Sequence, residues 1–257
     1  MLHHTKYEEV KTILDANLSP LLIGEKGSGK TTIIIQAAEE LGLKFYCISM
    51  TRQTTLSSLI GFKNIDGNYI PTLLREAIEG GGALLLDEID AGDPNVLLCL
   101  NTIENGFMSF PDKRIEVHPD FRLCATANTQ SKHHTGRALL DAATLDRFDD
   151  IDLPTDPQLE INLVGSEVAD KINDMRQLLV KYNMEKHISM RDAIRLKRRE
   201  ELGLVRGYIE KLLGGETGIL EEYEKIREKK TFLDQKECTD IGELIKNVKK
   251  SQGIFND

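Results

Sequence analysis

The chain has 257 residues, a formal net charge of −9, and 40% hydrophobic and 29% charged residues, which is the ordinary balance of a globular protein. This length is enough for one large domain or two smaller ones. No apolar stretch approaches the ~20 residues that span a bilayer, and the first residues lack the apolar core of a signal peptide, so the sequence predicts a cytoplasmic protein without a membrane segment. The negative net charge disfavours nucleic acid as a partner.

Strand-like and helix-like segments alternate over residues 20–155, which predicts an α/β fold with a parallel sheet sandwiched by helices. The predicted strands are residues 21–23, 44–49, 83–87, 121–127 and 151–153, and the predicted helices include 30–41 and 94–105. From about residue 156 the strand-like runs stop, and charged segments with helical periodicity follow. The sequence therefore predicts a first domain over 1–155 and a small all-helical domain with a charged tail over 156–257.

Two short insertions carry the signals of β-hairpins. Residues 61–70 place the turn dipeptide Asp66-Gly67 between apolar flanks, and a helix over 71–79 is predicted to follow. Residues 107–117 pair two short apolar runs around Pro111-Asp112-Lys113. The four cysteines are scattered without C-x-x-C spacing, which favours buried structural thiols over a metal site.

A glycine-rich loop joins the first predicted strand to the first helix and reads G-x-x-x-x-G-K-T. Backbone N–H groups of such a loop surround phosphate oxygens, and the helix N-terminus adds its positive dipole end. Lys30 is expected to reach the β- and γ-phosphates, and the Thr31 hydroxyl to ligate Mg²⁺. The predicted phosphate-binding residues are Gly24, Glu25, Lys26, Gly27, Ser28, Gly29, Lys30, Thr31 and Thr32.

Polar residues end two later strands. Asp87 and Glu88 follow the apolar run 83–86, so Asp87 is predicted to help hold Mg²⁺ and Glu88 to deprotonate the attacking water. Asn128 ends the strand over 121–127 and is predicted to lie near the γ-phosphate if that strand neighbours the glycine-loop strand. Ligands of open α/β sheets bind beyond the carboxyl ends of the strands, where all three residues are expected.

These landmarks resemble the AAA+ ATPases, and specifically the branch of MoxR, CbbQ and the dynein- and midasin-related proteins. The resemblance covers about residues 18–200. It rests on motifs in the same order as in that family: the P-loop at 24–31, the hairpin at 61–70, Asp87-Glu88, the run 125–128, the segment 136–148 ending in Asp146-Arg147-Phe148, and Ser189-Met190-Arg191.

The resemblance implies a P-loop NTPase fold with a helical lid, ATP and Mg²⁺ as cofactors, and a homo-oligomeric ring, usually a hexamer, with nucleotide between subunits. Arg147 would act as an arginine finger in the neighbouring subunit's site, with Arg137 as a competing candidate. An intrachain ion pair of Arg147 with Asp146 or Asp149 is the alternative role. Arg191 on the lid would contact the γ-phosphate in its own subunit.

The leading function is therefore an ATP-driven ring that remodels or activates a protein partner, for which a von Willebrand A-type protein is a candidate. Phe62 and Tyr69 of the first hairpin could grip that partner or could pack on their own domain. A nucleic-acid motor or loader of the McrB type is the main alternative, favoured by the basic segment 191–199. A small-molecule kinase and a nucleotide-binding module that barely hydrolyses are further alternatives.

Overall fold

The structure is a computed structural model that describes residues 2–129 and 146–232. It divides into two compact units, and the division falls after Leu159. The sequence had placed this boundary a few residues earlier, after residue 155. No helix in the described ranges is both long enough and apolar enough to pass through a membrane.

A five-stranded parallel sheet forms the centre of the first unit, as the sequence predicted. The strands are β1 (Pro20–Gly24), β2 (Phe45–Ser49), β5 (Gly82–Asp87), β8 (Phe121–Asn128) and β9 (Asp149–Leu153). Their order is β2-β5-β8-β1-β9, and every neighbouring pair is parallel. Strand β8 therefore lies between the glycine-loop strand β1 and the acidic strand β5.

Helices cover both faces of this sheet. Helices α1 (Tyr7–Asp15) and α2 (Lys30–Glu40) pack on one face, where Leu85 is fully buried. Helices α3 (Leu56–Ile60) and α4 (Leu73–Gly80) pack on the other, where Leu84 and Leu86 are fully buried. Successive residues of β5 thus serve opposite cores, because side chains alternate across a strand.

Two of the predicted helices differ from expectation at their ends or in their winding. Helix α4 begins at Leu73 because Thr72 caps it by accepting a hydrogen bond from the Arg75 N–H, two residues later than predicted. The segment predicted as one helix over 94–105 starts as α5 (Pro94–Leu97) but continues as a 3₁₀-helix over Leu98–Asn105. Periodicity alone does not separate these two windings over so short a run.

Both predicted hairpins are present. The first pairs β3 (Phe62–Lys63) with β4 (Tyr69–Ile70), and the second pairs β6 (Phe107–Ser109) with β7 (Arg114–Glu116). The Tyr69 hydroxyl donates to the Ile60 carbonyl at 2.7 Å, so Tyr69 packs on its own domain. Phe62 is 50% exposed and Ile65 is fully exposed, so the tip of the first hairpin presents apolar side chains to solvent.

Arg75 of α4 joins the two hairpins. Its buried guanidinium lies 4.6 Å from the Phe110 ring and 5.1 Å from the Tyr69 ring. It also pairs with Asp112 at 3.0 Å and with Glu79 at 2.8 Å. Tyr69 belongs to the first hairpin, whereas Phe110 and Asp112 belong to the turn of the second. One side chain therefore holds both insertions against α4.

The described part of the second unit consists of helices. They are α6 (Pro157–Val164, which contains the division between the units), α7 (Ser166–Lys181), α8 (Met190–Glu201), α9 (Arg206–Leu212) and α10 (217–232). Their apolar faces form a separate core that includes Ile172, Met175 and Leu196. Arg227 and Lys230 of α10 both pair with the buried Asp174 of α7, which fixes α10 on the unit.

Candidate nucleotide-binding site

The loop between β1 and α2 has the backbone conformation of a phosphate cradle. Gly27 and Gly29 have φ of 83° and 98°, a region that side chains with a Cβ atom rarely adopt. Gly29 directly precedes the first turn of α2, whose N–H groups have no partner within the helix. At Gly24 the limit is space, because a Cβ atom there would lie 2.5 Å from the Leu153 carbonyl oxygen.

Lys30 is buried at the centre of this loop. Its ammonium donates to the carbonyl oxygens of Gly24 and Glu25 at 2.8 and 2.9 Å and to Oδ1 of Asn128 at 3.0 Å. The last contact follows from the sheet, because Gly24 and Asn128 are register partners on the neighbouring strands β1 and β8. The structure therefore brings together the lysine and the amide that the sequence had assigned to one site.

The acidic end of β5 lies at the same edge of the sheet. The Thr31 hydroxyl donates to Oδ1 of Asp87 at 3.3 Å, although β5 and β1 are separated by β8. Glu88 follows in the left-handed conformation, with φ of 55° and ψ of 49°. A residue with a Cβ atom pays about 1–2 kcal/mol for this conformation. The chain accepts that strain at the residue predicted to be the general base.

Thr126 of β8 is a residue of this site to which the sequence analysis gave no role. Its hydroxyl donates to Oδ1 of Asp87 at 2.6 Å and accepts a hydrogen bond from the Glu88 N–H at 2.9 Å. A polar residue inside the otherwise apolar run 123–127 was the available signal. Its function could not be assigned before the strand order was known, because the contact depends on β8 lying beside β5.

Two buried polar atoms at the loop, the Ser28 hydroxyl and Nδ2 of Asn128, have no hydrogen-bond partner among the residues that the structure describes. Both can donate hydrogen bonds, and a buried donor without a partner costs free energy. A bound phosphate oxygen is an acceptor that would satisfy such donors. The residues present therefore fit a nucleotide phosphate group.

Oxygen atoms are the ligands that Mg²⁺ prefers, and Thr31 and Asp87 supply them side by side. In nucleotide sites Mg²⁺ is held by one or two protein oxygens together with phosphates and water. Within the described ranges, no cluster of three or more histidine, cysteine or acidic residues is placed to hold a metal. The donor set thus fits Mg²⁺ bound jointly by the chain and a nucleotide.

The remaining predicted loop residues lie at the surface. Glu25, Lys26 and Thr32 are exposed around the buried Ser28 and Lys30. Nearby, Cys47 of β2 is half-buried. The pKa of its thiol is raised, mainly by burial and to a smaller extent by the negative charge of Asp87.

Arg147 lies within the described ranges just before β9. Its Nε atom is 3.1 Å from Oε1 of Glu104, which belongs to the 3₁₀-helix Leu98–Asn105. Among the described residues Arg147 therefore pairs with Glu104, whereas the sequence had suggested Asp146 or Asp149. The competing candidate Arg137 lies outside the described residues, so the choice between the two arginines stays a prediction.

Arg191 is an exposed residue in the first turn of α8 in the second unit. The start of this helix is fixed by reciprocal hydrogen bonds between Ser189 and Asp192, with Ser189 Oγ donating to the Asp192 carboxylate at 2.7 Å. The sequence motif Ser189-Met190-Arg191 therefore marks a helix start. The role of Arg191 at the nucleotide stays a prediction.

Comparison with known families decides the classification. Residues 19–148, just over half of the chain, match the family model for the AAA domain of the dynein-related subfamily. The chain belongs to the AAA family. The family model and the curated relatives place it among the AAA+ ATPases of the MoxR-like branch, as the sequence motifs predicted.

Curated relatives match over parts of their length. The chain is 30% identical over 179 residues to the aerobic cobaltochelatase subunit CobS of a Sinorhizobium species, covering 60% of this chain and 53% of that protein. It is 26% identical over 198 residues to the gas vesicle ATPase GvpN1 of Halobacterium salinarum, covering 65% and 56%. Mouse von Willebrand factor A domain-containing protein 8 is 32% identical over 127 residues, covering 42% of this chain but 7% of that protein.

Solved structures support the fold. A putative ATPase from Cytophaga hutchinsonii superposes with a TM-score of 0.50 at 21% identity, covering 77% of this chain and 74% of that one. NtrX from Brucella abortus, solved in complex with ADP, superposes with a TM-score of 0.53 at 15% identity, covering 75% and 47%. These likenesses support the P-loop α/β architecture of this AAA+ protein.

Proposed function

We propose that this AAA+ protein hydrolyses ATP with Mg²⁺ at the site described above. The observation that carries the proposal is a pair of neighbouring contacts at one edge of the sheet: Lys30 of α2 binds Asn128 of β8, and Thr31, the next residue of α2, binds Asp87 of β5. These residue types are the ones that phosphoryl transfer to water requires: a cation, oxygen ligands for Mg²⁺, and a polar group for the γ-phosphate or the attacking water.

Each side chain has a separable task in this proposal. The Lys30 ammonium stabilises negative charge on the β- and γ-phosphates, and Thr31 and Asp87 hold Mg²⁺, which neutralises charge that develops on the phosphates. Glu88 accepts the proton of the attacking water. Asn128 donates through Nδ2 while its Oδ1 remains engaged by Lys30, so the amide is held in one orientation.

We further propose that the protein assembles as a homo-oligomeric ring, in which Arg147 completes the neighbouring subunit's site. A guanidinium suits this task because it is planar and always protonated. The ring would remodel or activate a protein partner, with a von Willebrand A-type protein as one candidate. The exposed Phe62 and Ile65 of the first hairpin support a protein-binding role, because solvated apolar side chains in one short insertion mark a contact surface.

The experiment that tests the catalytic proposal compares Glu88→Gln with the matched control Glu39→Gln. Glu39 is exposed on α2, so its substitution removes the same charge away from the site. We expect Glu88→Gln to bind ATP with the affinity of the wild type and to lose at least ~100-fold in turnover, because a general base contributes about 10²–10⁴-fold. Wild-type turnover in Glu88→Gln would refute the assignment.

Assembly is tested by sizing the Glu88→Gln protein with and without Mg²⁺-ATP. A ring with nucleotide between subunits predicts a larger species when ATP is bound. A monomer under both conditions would overturn the ring and the arginine finger while leaving the catalytic site intact.

A nucleic-acid motor is the second candidate. It is favoured by one observation, the exposed basic stripe of Arg191, Arg195 and Arg198 along α8. Under this alternative, DNA stimulates turnover, and the stimulation falls steeply with salt because phosphate contacts release counterions. Turnover that does not respond to DNA at low salt would leave the protein-partner function as the only candidate.

A further inference from the structure

Thr126 makes two hydrogen bonds that link the metal-site acid to the residue after it. Its side chain is fully buried in β8, between the P-loop strand and the acidic strand. The hydroxyl hydrogen is used on Oδ1 of Asp87 at 2.6 Å, and the hydroxyl oxygen is used by the Glu88 N–H at 2.9 Å. One hydroxyl group therefore contacts the predicted magnesium ligand and the backbone of the predicted base.

We propose that Thr126 is a positioning residue for Mg²⁺-dependent hydrolysis, which fixes the Asp87 carboxylate and the turn that aims Glu88. The inference rests on the proposed function, because Thr126 is inferred to hold in place two residues of that proposed site. Thr126 acts through its two neighbours and does not itself bind Mg²⁺ or nucleotide.

The Asp87 carboxylate is held by donors from two elements. Its Oδ1 accepts from Thr126 on β8 at 2.6 Å and from Thr31 on α2 at 3.3 Å. Two donors from different elements restrict rotation of the carboxylate about its terminal torsion, which is otherwise broad. Partners of this kind behind a metal ligand typically change metal affinity or activity by about 10–100-fold when removed.

Glu88 is held through its backbone. The left-handed backbone of Glu88 sets the direction in which its side chain leaves the end of β5. The hydrogen bond from the Glu88 N–H to the Thr126 hydroxyl stabilises that backbone conformation. The Glu88 carbonyl accepts from the Ala91 N–H at 2.8 Å and so begins the short 3₁₀ turn Ile89–Ala91. The Thr126 hydroxyl is therefore the cross-strand support of a strained turn.

A hydroxyl is needed here because only a group that donates and accepts can serve both neighbours. Valine has the same shape as threonine but would leave the Glu88 N–H and Oδ1 of Asp87 without this partner. Because Thr126 is fully buried, solvent water does not reach the position to replace the hydroxyl.

The test measures binding of a fluorescent ATP analogue in EDTA and across a Mg²⁺ titration for Thr126→Val and Thr126→Ser. The control is Cys124→Ala, a fully buried site on the same face of β8. We expect Thr126→Val to bind the analogue in EDTA like the wild type. It should need roughly 10-fold more Mg²⁺ to reach half of the Mg²⁺-dependent change in analogue binding, and its turnover should fall roughly 10–100-fold. Thr126→Ser should restore most of the wild-type Mg²⁺ requirement and most of the turnover. Cys124→Ala should leave the Mg²⁺ requirement unchanged.

A wild-type Mg²⁺ requirement in Thr126→Val would overturn the proposal. If Thr126→Val does not fold, as judged by thermal melting in EDTA, Thr126→Ala is measured in the same way, because it removes the hydroxyl and a methyl without adding bulk. Failure of the proposed function is a different result: the wild type would show no Mg²⁺-dependent turnover, whatever Thr126 does.

Discussion

Nε of Arg147 lies 3.1 Å from Oε1 of Glu104, so the proposed arginine finger is engaged within its own subunit. The Glu104 side chain is 60% exposed, whereas that of Arg147 is 14% exposed, so only the acid of this pair is solvated. The trans role therefore requires the pair to open and a largely buried guanidinium to move toward the neighbouring subunit when the ring forms.

Substituting Glu104→Gln should change the free energy of unfolding by less than about 1 kcal/mol, because Glu104 is the exposed partner and glutamine keeps an oxygen that can accept from Arg147. Turnover should stay within a few-fold of the wild type, since Arg147 remains available. Urea unfolding and steady-state ATP hydrolysis measure the two quantities. A Glu104→Gln protein without hydrolysis would show that Glu104, and not only Arg147, belongs to the working site.

Substituting Arg147→Ala should reduce turnover by about 10³-fold or more while nucleotide affinity is kept, which is the loss expected for an arginine finger. Mixing Arg147→Ala with Glu88→Gln subunits should restore part of the activity. A mixed ring contains interfaces with an intact Glu88 on one side and an intact Arg147 on the other. Absence of rescue at every mixing ratio would argue that Arg147 acts within its own chain.

Two glycine substitutions in the P-loop should lower thermal stability for different reasons. Gly29→Ala meets no atom within 4 Å but must adopt φ of 98°, so its cost is conformational strain of about 1–2 kcal/mol. Gly24→Ala would place Cβ 2.5 Å from the Leu153 carbonyl, so β1 and β9 must separate. We expect larger thermal destabilisation for Gly24→Ala. The reverse order in a melting experiment would contradict this assignment.

Substituting Arg75→Met should destabilise the first unit by about 1–3 kcal/mol, because a buried cation that serves two acids and two aromatic rings is lost. Lys113→Met is the matched control: Lys113 is exposed and pairs with Glu79 at 3.4 Å, so its loss should cost less than about 1 kcal/mol. Equal urea midpoints for the two variants would show that the buried contacts of Arg75 do not stabilise the first unit more than the exposed pair of Lys113 does.

The second unit should lose stability in acid through Asp192. Burial raises the pKa of this carboxyl, but hydrogen bonds from the side chain and backbone of Ser189 and from Tyr208 outweigh it and hold the pKa below the ordinary 3.8. A carboxyl with a depressed folded-state pKa stabilises the fold above its unfolded pKa, and this contribution is lost as the pH falls through the folded pKa.

We therefore expect the stability difference between the wild type and Asp192→Asn to be present at pH 7 and to shrink below about pH 4. Unfolding of the second unit followed by urea titration at several pH values measures it, with Glu201→Gln at the exposed end of α8 as the charge control. A difference that does not depend on pH would mean that the Asp192 charge is not what stabilises the helix start.

Much of the first unit could be predicted from the sequence because its signals are local. The apolar run 83–86 and the glycine loop each specify an element without reference to distant residues. The polar residues that end two predicted parallel strands then grouped Asp87 and Asn128 with the P-loop, and the observed strand order brings Asn128 to Lys30 and Asp87 to Thr31.

The contacts of Thr126, Glu104 and Arg75 could not be predicted, because each joins segments far apart in the chain. Thr126 contacts Asp87 across neighbouring strands, and Glu104 and Arg147 lie 43 positions apart in the sequence. Charge pairing from sequence alone favours near neighbours, which is why Asp146 and Asp149 were expected as partners of Arg147. Only the folded sheet identifies the actual partner.

The joint attachment of both hairpins to Arg75 has a consequence for engineering. Exchanging one hairpin for that of a relative would remove part of the contacts that the buried Arg75 guanidinium makes with Tyr69, Phe110 and Asp112. Chimeras with altered partner choice should therefore transplant both insertions together with α4, which carries Arg75.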